Sequence, residues 1–138
     1  MDTEKLRRQL VIHEGLRTHM YQDTVGKWTI GVGRNLSDVG ISHGEAMMLL
    51  EHDLDAVITD LATFPWFAAL DPVRQRVLCN IRFNLGPSRF RGFKRMLRLV
   101  SEGNYVLAAG AMRDSVWFRQ TKDRGVRLTQ MMVQGVDA

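Results

Sequence analysis

A helix that stops at a glycine and leads directly into a glycine-rich hairpin constrains the fold more than any other feature of this sequence. Residues 3–14 carry apolar side chains at helical spacing, and Asp2 or Thr3 can cap the first turn. Gly15 is typical of the residue that follows a helix end. The chain therefore has to change from helix to extended strand within a few residues.

Two short strands are predicted after this stop, at Met20–Gln22 and Trp28–Val32, joined through Val25–Lys27. Gly31 and Gly33 occupy alternate positions in and after the second strand. One face of that strand therefore lacks side chains, and another group can approach its backbone. A bound ligand and a packed helix both meet that description.

The rest of the chain is predicted to be helical, which gives an α+β fold that is mostly α. Ser42 and Glu45 form a capping-box pattern that starts a long helix ending before Phe64. A polar turn is predicted over residues 35–40, and Trp117 is placed near a turn. Further helices are predicted from Asp71 through Phe83, from Ser88 to about Glu102, from Asn104, which can cap it, to about Met112, and from Asp123 onward.

Composition indicates one globular domain of 138 residues, with 45% hydrophobic and 25% charged residues. No apolar stretch is long enough to span a membrane, so no stable membrane insertion is expected. The N-terminus lacks the layout of a secretory signal, which predicts synthesis and folding in the cytoplasm. Cys79 is the single cysteine, so no internal disulfide forms, and its apolar neighbours predict a buried thiol.

Charge is distributed unevenly along the chain. The formal charge is −4 through residue 62 and +8 from residue 63 onward, giving the net +4. A basic C-terminal half is compatible with nucleic acid, an anionic membrane or an anionic cell-wall polymer as partner. It is equally compatible with a solvated, arginine-rich helical surface, which charge alone favours.

Two carboxylates and a hydroxyl flank the helix stop. Glu14 lies in the last helical turn, where the helix dipole favours the protonated form of a carboxyl, as a general acid requires. Asp23, on the polar hairpin, is expected to stay ionised, and Thr29 could hold a water beside it. Glycoside cleavage needs this combination of acid and ionised carboxylate. For Glu14 alone, an exposed glutamate on a frayed helix end is the simpler interpretation.

The spacing of these residues resembles the catalytic signature of the T-even-phage-type lysozymes, the phage endolysins. Glu14 is followed after eight residues by Asp23, after five more by Thr29, and then by Ile30-Gly-Val-Gly33. The resemblance extends to both halves of the chain through Glu14-Gly-Leu-Arg17, Tyr21-Gln-Asp23-Thr24, Ile41-Ser-His-Gly-Glu45-Ala46, Phe83-Asn-Leu-Gly86, Gly92-Phe93, and Trp117-Phe-Arg-Gln-Thr121 with Arg124 and Arg127.

The resemblance implies a hydrolase of peptidoglycan. Members cleave the β-1,4 bond between N-acetylmuramic acid and N-acetylglucosamine with inversion at the anomeric carbon, and lyse the host cell at the end of phage infection. Carried over, Glu14 is the acid, and Asp23 with Thr29 positions the attacking water. Arg124 resembles the arginine that pairs with the catalytic glutamate from the other lobe. That pairing would lower the pKa of Glu14, whereas its position at the helix end would raise it, so the sequence does not predict the direction of the net shift.

The resemblance also implies one lysozyme domain of two lobes over residues 1–138. A small β-hairpin lobe covers about residues 15–44, and a connecting helix covers about 43–62. The helical lobe covers about 63–138, with the N-terminal helix 3–14 packed on it. Phe83 and Asn84 resemble residues that line the cleft between the lobes.

Two departures from the family pattern stand out. Arg34 occupies a position where the family usually has a histidine, which puts local stability in doubt more than activity. The segment between Gly33 and the long helix is also shorter than in longer members, which implies a smaller N-terminal lobe.

The expected partner is the peptidoglycan glycan strand, bound by a monomer without cofactor. No metal is expected, because the four histidines show no metal-site spacing. The resemblance implies release from the cytoplasm of the infected bacterium through a holin pore, followed by action on the cell wall. No nucleic acid partner is expected, since a nucleic-acid-binding helical domain would explain only the basic half. A non-catalytic wall-binding or virion-structural domain would not explain the complete set of Glu14, Asp23 and Thr29.

Overall fold

The computed structural model describes residues 1–138 and has eight α-helices and one three-stranded antiparallel sheet. The predicted α+β fold, mostly α, is confirmed. The strands are β1 (Arg17–Gln22), β2 (Trp28–Gly31) and β3 (Arg34–Asn35). The helices are α1 (Thr3–Glu14), α2 (His43–Leu61), α3 (Pro72–Leu85), α4 (Pro87–Arg91), α5 (Lys94–Ser101), α6 (Tyr105–Arg113), α7 (Val116–Thr121) and α8 (Asp123–Gln134). A short 3₁₀ turn lies at Phe67–Ala69.

The chain divides into two compact units, residues 1–49 and residues 50–138, with the boundary inside α2. In the first unit, α1 begins and ends where the sequence predicts. The Asp2 carboxylate accepts a hydrogen bond from the Lys5 amide at 3.0 Å, and Gly15 ends the helix at a φ of 77°. That positive φ favours glycine, which explains why the helix stops there.

The sheet follows α1 in the order β1-β2-β3. Its first strand begins at Arg17, three residues earlier than the predicted strand, and a register shift separates Arg17 from Tyr21. The third strand, Arg34–Asn35, overlaps the start of the predicted polar turn. Main-chain pairing with β2 defines this two-residue strand, and so short a segment has no alternation of apolar and polar residues to reveal it.

The long helix α2 starts at the predicted capping box. The Glu45 amide donates to the Ser42 hydroxyl at 3.1 Å, and the Ser42 amide donates to the Glu45 carboxylate at 3.0 Å. Two donors at the start of the helix are thereby satisfied, which fixes its first turn.

The second unit contains the hydrophobic core. Each of its helices α3 to α8 buries at least one side chain, as does the C-terminal half of α2. The largest fully buried side chains are Phe90, Leu61, Leu78, Ile81, Met96, Met112, Met132, Val77 and Val100. Asp71 caps α3 by accepting from the Arg74 amide at 3.0 Å, with Pro72 at the first helical position as predicted.

Three predictions about the second unit are wrong in detail. The helix predicted from Ser88 to about Glu102 is two helices, because the chain leaves helical geometry around Gly92–Phe93. Asn104 precedes α6 without donating or accepting a side-chain capping bond. Trp117 lies inside α7 and not at a turn, because the Ser115 hydroxyl caps that helix by accepting from the Phe118 amide at 3.1 Å.

Two further features of the second unit bear on its stability. Cys79 is half-buried, and this burial raises the pKa of its thiol. Arg74 donates to the carbonyls of Met132 and Val133 at 2.8 and 3.0 Å and lies over the Tyr105 ring at 3.8 Å, so it holds the end of α8.

No helix of either unit combines the length and apolarity needed to span a bilayer.

Candidate active site

Glu14, the last residue of α1, has an exposed side chain that lies against the backbone of Gly33. A Cβ atom built on Gly33 would be 2.8 Å from Glu14 Oε2 and 3.0 Å from its carboxyl carbon. Gly33 also has a φ of +65°, which L-residues rarely adopt. The glycine therefore gives the carboxyl room, which is the close approach that the alternating glycines predict.

Asp23 lies in the turn between β1 and β2, where its side chain organises the backbone. Its Oδ1 accepts hydrogen bonds from the amides of Val25 at 2.9 Å and Lys27 at 2.8 Å. Both bonds involve the same oxygen, so Oδ2 keeps its full capacity to accept from another molecule.

Thr29 is 4% exposed and is the only buried residue of the first unit. Its hydroxyl donates to the Lys27 carbonyl at 3.0 Å. Because this bond uses the hydroxyl proton, the Thr29 oxygen is left as an acceptor. Asp23 accepts from the Lys27 amide and Thr29 donates to the Lys27 carbonyl, so both side chains are tied to the same residue.

Lys27 contacts both Asp23 and Thr29, and its sequence position gave no prediction of this role. Besides its backbone bonds, its ammonium pairs with Asp38 at 3.2 Å. Asp38 also accepts from the Asn35 amide group at 3.0 Å, and Asn35 lies directly opposite Thr29 in the sheet. The hydrogen bonds from Lys27 and Asn35 lower the pKa of Asp38. A lysine four residues after an aspartate in a hairpin is the only signal the sequence offers for this network.

Arg34 has a defined role in the first unit. Its guanidinium donates to the Glu45 carboxylate at 2.9 Å and to the Gly40 carbonyl at 3.3 Å. The hydrogen bond from Arg34, together with those from Ser42, lowers the pKa of Glu45 to about 2. The arginine therefore connects the sheet to the start of α2 by an exposed ion pair, and the expected effect of Arg34 on local stability stays a prediction.

The remaining predicted residues, Phe83, Asn84 and Arg124, belong to the second unit. Phe83 is 42% exposed and lines an apolar cavity of about 420 Å³ with Leu54 and Ile58. The Asn84 side-chain carbonyl accepts from the Trp117 indole at 3.0 Å. This bond leaves the Asn84 amide group as a free donor.

Arg124 donates to the Asn80 side chain at 2.8 Å and lines a separate cavity of about 420 Å³ that also includes Asn80 and Arg127. Asn80 precedes Asn84 by one turn of α3, and this pair of amide side chains contacts α8 and α7 respectively. The sequence analysis missed Asn80, although its spacing from Asn84 places both side chains on one helix face. The pairing of Arg124 with Glu14 stays a prediction.

No group of three or more His, Cys, Asp or Glu side chains is arranged to hold a metal ion. Glu14, Asp23 and Thr29 provide two carboxyl groups and a hydroxyl acceptor. An acid and a water-orienting pair of acceptors are the parts that hydrolysis of a glycosidic bond needs.

Comparison with known proteins gives a consistent result. The family model described as phage lysozyme matches residues 11–131. The chain is 31% identical to the pre-baseplate central spike protein Gp5 of Enterobacteria phage T4, over 96% of this chain and 27% of that protein. It is 25% identical to the probable T4-type lysozyme 1 of Dictyostelium discoideum, over 94% of each. It is 32% identical to the endolysin of Salmonella phage P22, over 83% of this chain and 82% of that protein.

Proposed function

The chain belongs to the phage lysozyme family, a family of peptidoglycan hydrolases, and we propose that it cleaves the β-1,4 bond between N-acetylmuramic acid and N-acetylglucosamine with inversion. The observation that supports this proposal best is the arrangement of Asp23 and Thr29. Both are hydrogen bonded to the backbone of Lys27, and each keeps an acceptor atom, Asp23 Oδ2 and Thr29 Oγ1, that this bonding does not use.

In this mechanism Glu14 is protonated and donates its proton to the leaving O4 of N-acetylglucosamine as the C1–O4 bond breaks. Asp23 Oδ2 and Thr29 Oγ1 accept hydrogen bonds from the attacking water, whose oxygen forms the new bond to C1. Asp23 takes the proton that the water loses. Since water attacks the face opposite the leaving group, the product anomer is inverted.

We also propose that Phe83, Asn84 and Arg124 bind substrate. The exposed ring of Phe83 offers an apolar surface to a sugar, the Asn84 amide group a donor, and the Arg124 guanidinium a positive charge. The basic second half of the chain would increase attraction to anionic envelope polymers, and salt would screen that attraction.

The decisive experiment uses purified peptidoglycan. Wild type is expected to release new N-acetylmuramic acid reducing ends, initially as the α-anomer, detected by NMR in the first minutes. Glu14→Gln is expected to lower the rate by about 10²–10⁴-fold, the usual contribution of a general acid. The matched control, Glu4→Gln, changes an exposed glutamate of the same helix and should leave the rate unchanged. Equal rates for wild type and Glu14→Gln would contradict the assignment.

We further propose that the protein acts as a monomer on the cell wall after release from the infected bacterium through a holin pore. Expression in bacteria with and without a holin tests the release. Lysis only with the holin is expected, and lysis without it would contradict holin dependence. Detection of the protein in purified virions would instead assign it to the particle, the setting that the name of the Gp5 relative describes.

A further inference from the structure

Arg17 is held in a defined position on the first strand. Its guanidinium carbon lies 4.2 Å from the centre of the Tyr21 ring. Stacking on an aromatic ring restrains a guanidinium while leaving its in-plane N–H groups available. Three other cations of the first unit, Arg7, Lys27 and Arg34, pair with carboxylates of that unit, whereas Arg17, like Lys5 and Arg8, forms no such pair. Arg17 is therefore an exposed, oriented cation without an anionic partner in its own unit.

The register of the sheet places this stack beside the proposed catalytic residues. Tyr21 lies directly opposite Thr29, and Arg17 lies opposite Gly31. Directly opposed residues of an antiparallel pair project from the same face of the sheet. The Arg17–Tyr21 stack therefore shares the face of the Thr29 hydroxyl. Between these two pairs β1 advances by four residues and β2 by only two, so β1 has a bulge between Arg17 and Tyr21. A bulge of this kind changes the direction of nearby side chains, and here the Arg17 guanidinium lies over the Tyr21 ring.

The sheet surface beside Arg17 is open. Gly31 has no side chain, and a Cβ atom built there would meet nothing within 4 Å. Two residue steps along the strand separate Gly31 from Thr29, a distance of about 7 Å. A ligand group can thus contact the sheet next to Arg17 while another part of the same molecule lies at Thr29.

The chemistry of this position selects a carboxylate. A guanidinium presents two parallel N–H groups that match the two oxygens of a carboxylate. In peptidoglycan the sugar ring atoms are uncharged, but N-acetylmuramic acid carries a stem peptide with several carboxylates. We propose that Arg17, oriented by Tyr21, binds a stem-peptide carboxylate on the sugar next to the cleaved bond. This inference rests on the proposed function, because it takes Thr29 as the marker of the cleavage point.

The test compares two substrates: peptidoglycan with its stem peptides, and the same peptidoglycan after the stem-peptide carboxylates have been converted to amides, because removal of the peptide by an amidase would leave a new carboxylate on the lactyl group of N-acetylmuramic acid. Arg17→Gln is expected to lower kcat/KM about 10- to 100-fold on the unmodified substrate, the loss typical of a charge-assisted hydrogen bond. On the amidated substrate Arg17→Gln should match wild type. Arg17→Lys keeps the positive charge but not the two parallel N–H groups, so its kcat/KM on the unmodified substrate should lie between those of wild type and Arg17→Gln. Arg8→Gln, an exposed arginine of α1, is the matched control and should match wild type on both.

Equal losses on the two substrates, or no loss on either, would overturn the subsite. Should Arg17→Gln fail to fold, an NMR titration of wild type with free stem tripeptide decides the question. The tripeptide should shift the Tyr21 ring signals, and the same tripeptide with amidated carboxyls should not; the absence of this difference would overturn the proposal. Failure of the proposed function has another signature, since wild type would then cleave neither substrate.

Discussion

In residues 50–138 every helix buries apolar side chains, whereas in residues 1–49 the only buried residue is the polar Thr29. The first unit keeps its local geometry through hydrogen bonds and ion pairs, such as Asp23 with Lys27 and Arg34 with Glu45. The second is stabilised mainly by packing. The proposed acid and the proposed water-orienting pair all belong to the first unit. Its function should therefore depend on a few polar contacts and specific glycines, and global stability should depend on the second unit.

The largest expected effect comes from removing a core side chain of the second unit. Phe90 is completely buried, so Phe90→Ala should lower the free energy of unfolding by about 3–5 kcal/mol. Leu10 in the first unit is 44% exposed, and Leu10→Ala should change the free energy of unfolding by no more than about 0.5 kcal/mol. Denaturant titration measures both variants. If Leu10→Ala lowered the free energy of unfolding as much as Phe90→Ala, the view that packing in the second unit dominates global stability would be wrong.

The next effect separates backbone strain from loss of the acid. Gly33 and Gly40 have almost the same positive φ, +65° and +66°, but only Gly33 is in close contact with Glu14. Alanine at either position should cost about 1–2 kcal/mol of stability. Gly33→Ala should in addition lower hydrolysis about 100-fold, because the Glu14 carboxyl has to move. Peptidoglycan turnover of the two variants provides the measurement, and equal turnover would mean that this contact does not position the acid.

A smaller effect concerns pH. The pKa of Glu45 is lowered from 4.5 to about 2 in the folded protein, so its ion pair with Arg34 stabilises the fold above pH 4.5. That contribution should decrease as the pH falls from about 4.5 to 2. Melting temperatures should therefore show wild type above Glu45→Gln at pH 7, with the gap closing towards pH 2. Glu51→Gln, an exposed glutamate of the same helix, serves as the control, and a gap independent of pH would contradict the assignment.

The smallest effect is a gain in stability. Lys122, between α7 and α8, is the one non-glycine residue with a positive φ, at φ 51° and ψ −115°. Lys122→Gly should relieve this strain and raise the free energy of unfolding by about 1 kcal/mol. Arg119→Gly, inside α7, should instead lower the free energy of unfolding by about 1 kcal/mol, because glycine is unfavourable inside a helix. Thermal unfolding distinguishes the two, and a loss of stability in Lys122→Gly would show that this backbone is unstrained.

The elements that the sequence predicted well are those whose ends are fixed by local chemistry. Asp2 and Gly15 delimit α1, and the Ser42–Glu45 box starts α2, because each cap is made by residues within a few positions of the helix end. The break at Gly92–Phe93 was missed because the apolar spacing continues across it. β3 was missed because it exists only through pairing with β2.

The candidate site divides in the same way. Residue type, spacing and the family resemblance pointed to Glu14, Asp23 and Thr29, whose catalytic roles stay a prediction, and the glycine pattern pointed to a close approach at Gly33. The direction of the Thr29 proton, towards the Lys27 carbonyl, depends on how the turn folds and has no signature in the sequence. The same applies to Arg17 on Tyr21, since two irregular residues of β1 bring them together.

The half-buried Cys79 has a practical consequence. Its raised pKa keeps the thiol protonated at neutral pH, so alkylating and disulfide reagents should modify it slowly while α3 is folded. Cys79 is the single thiol of the chain, so no cysteine has to be engineered as a probe. The rate at which a reagent modifies it in increasing denaturant reports how often the second unit opens.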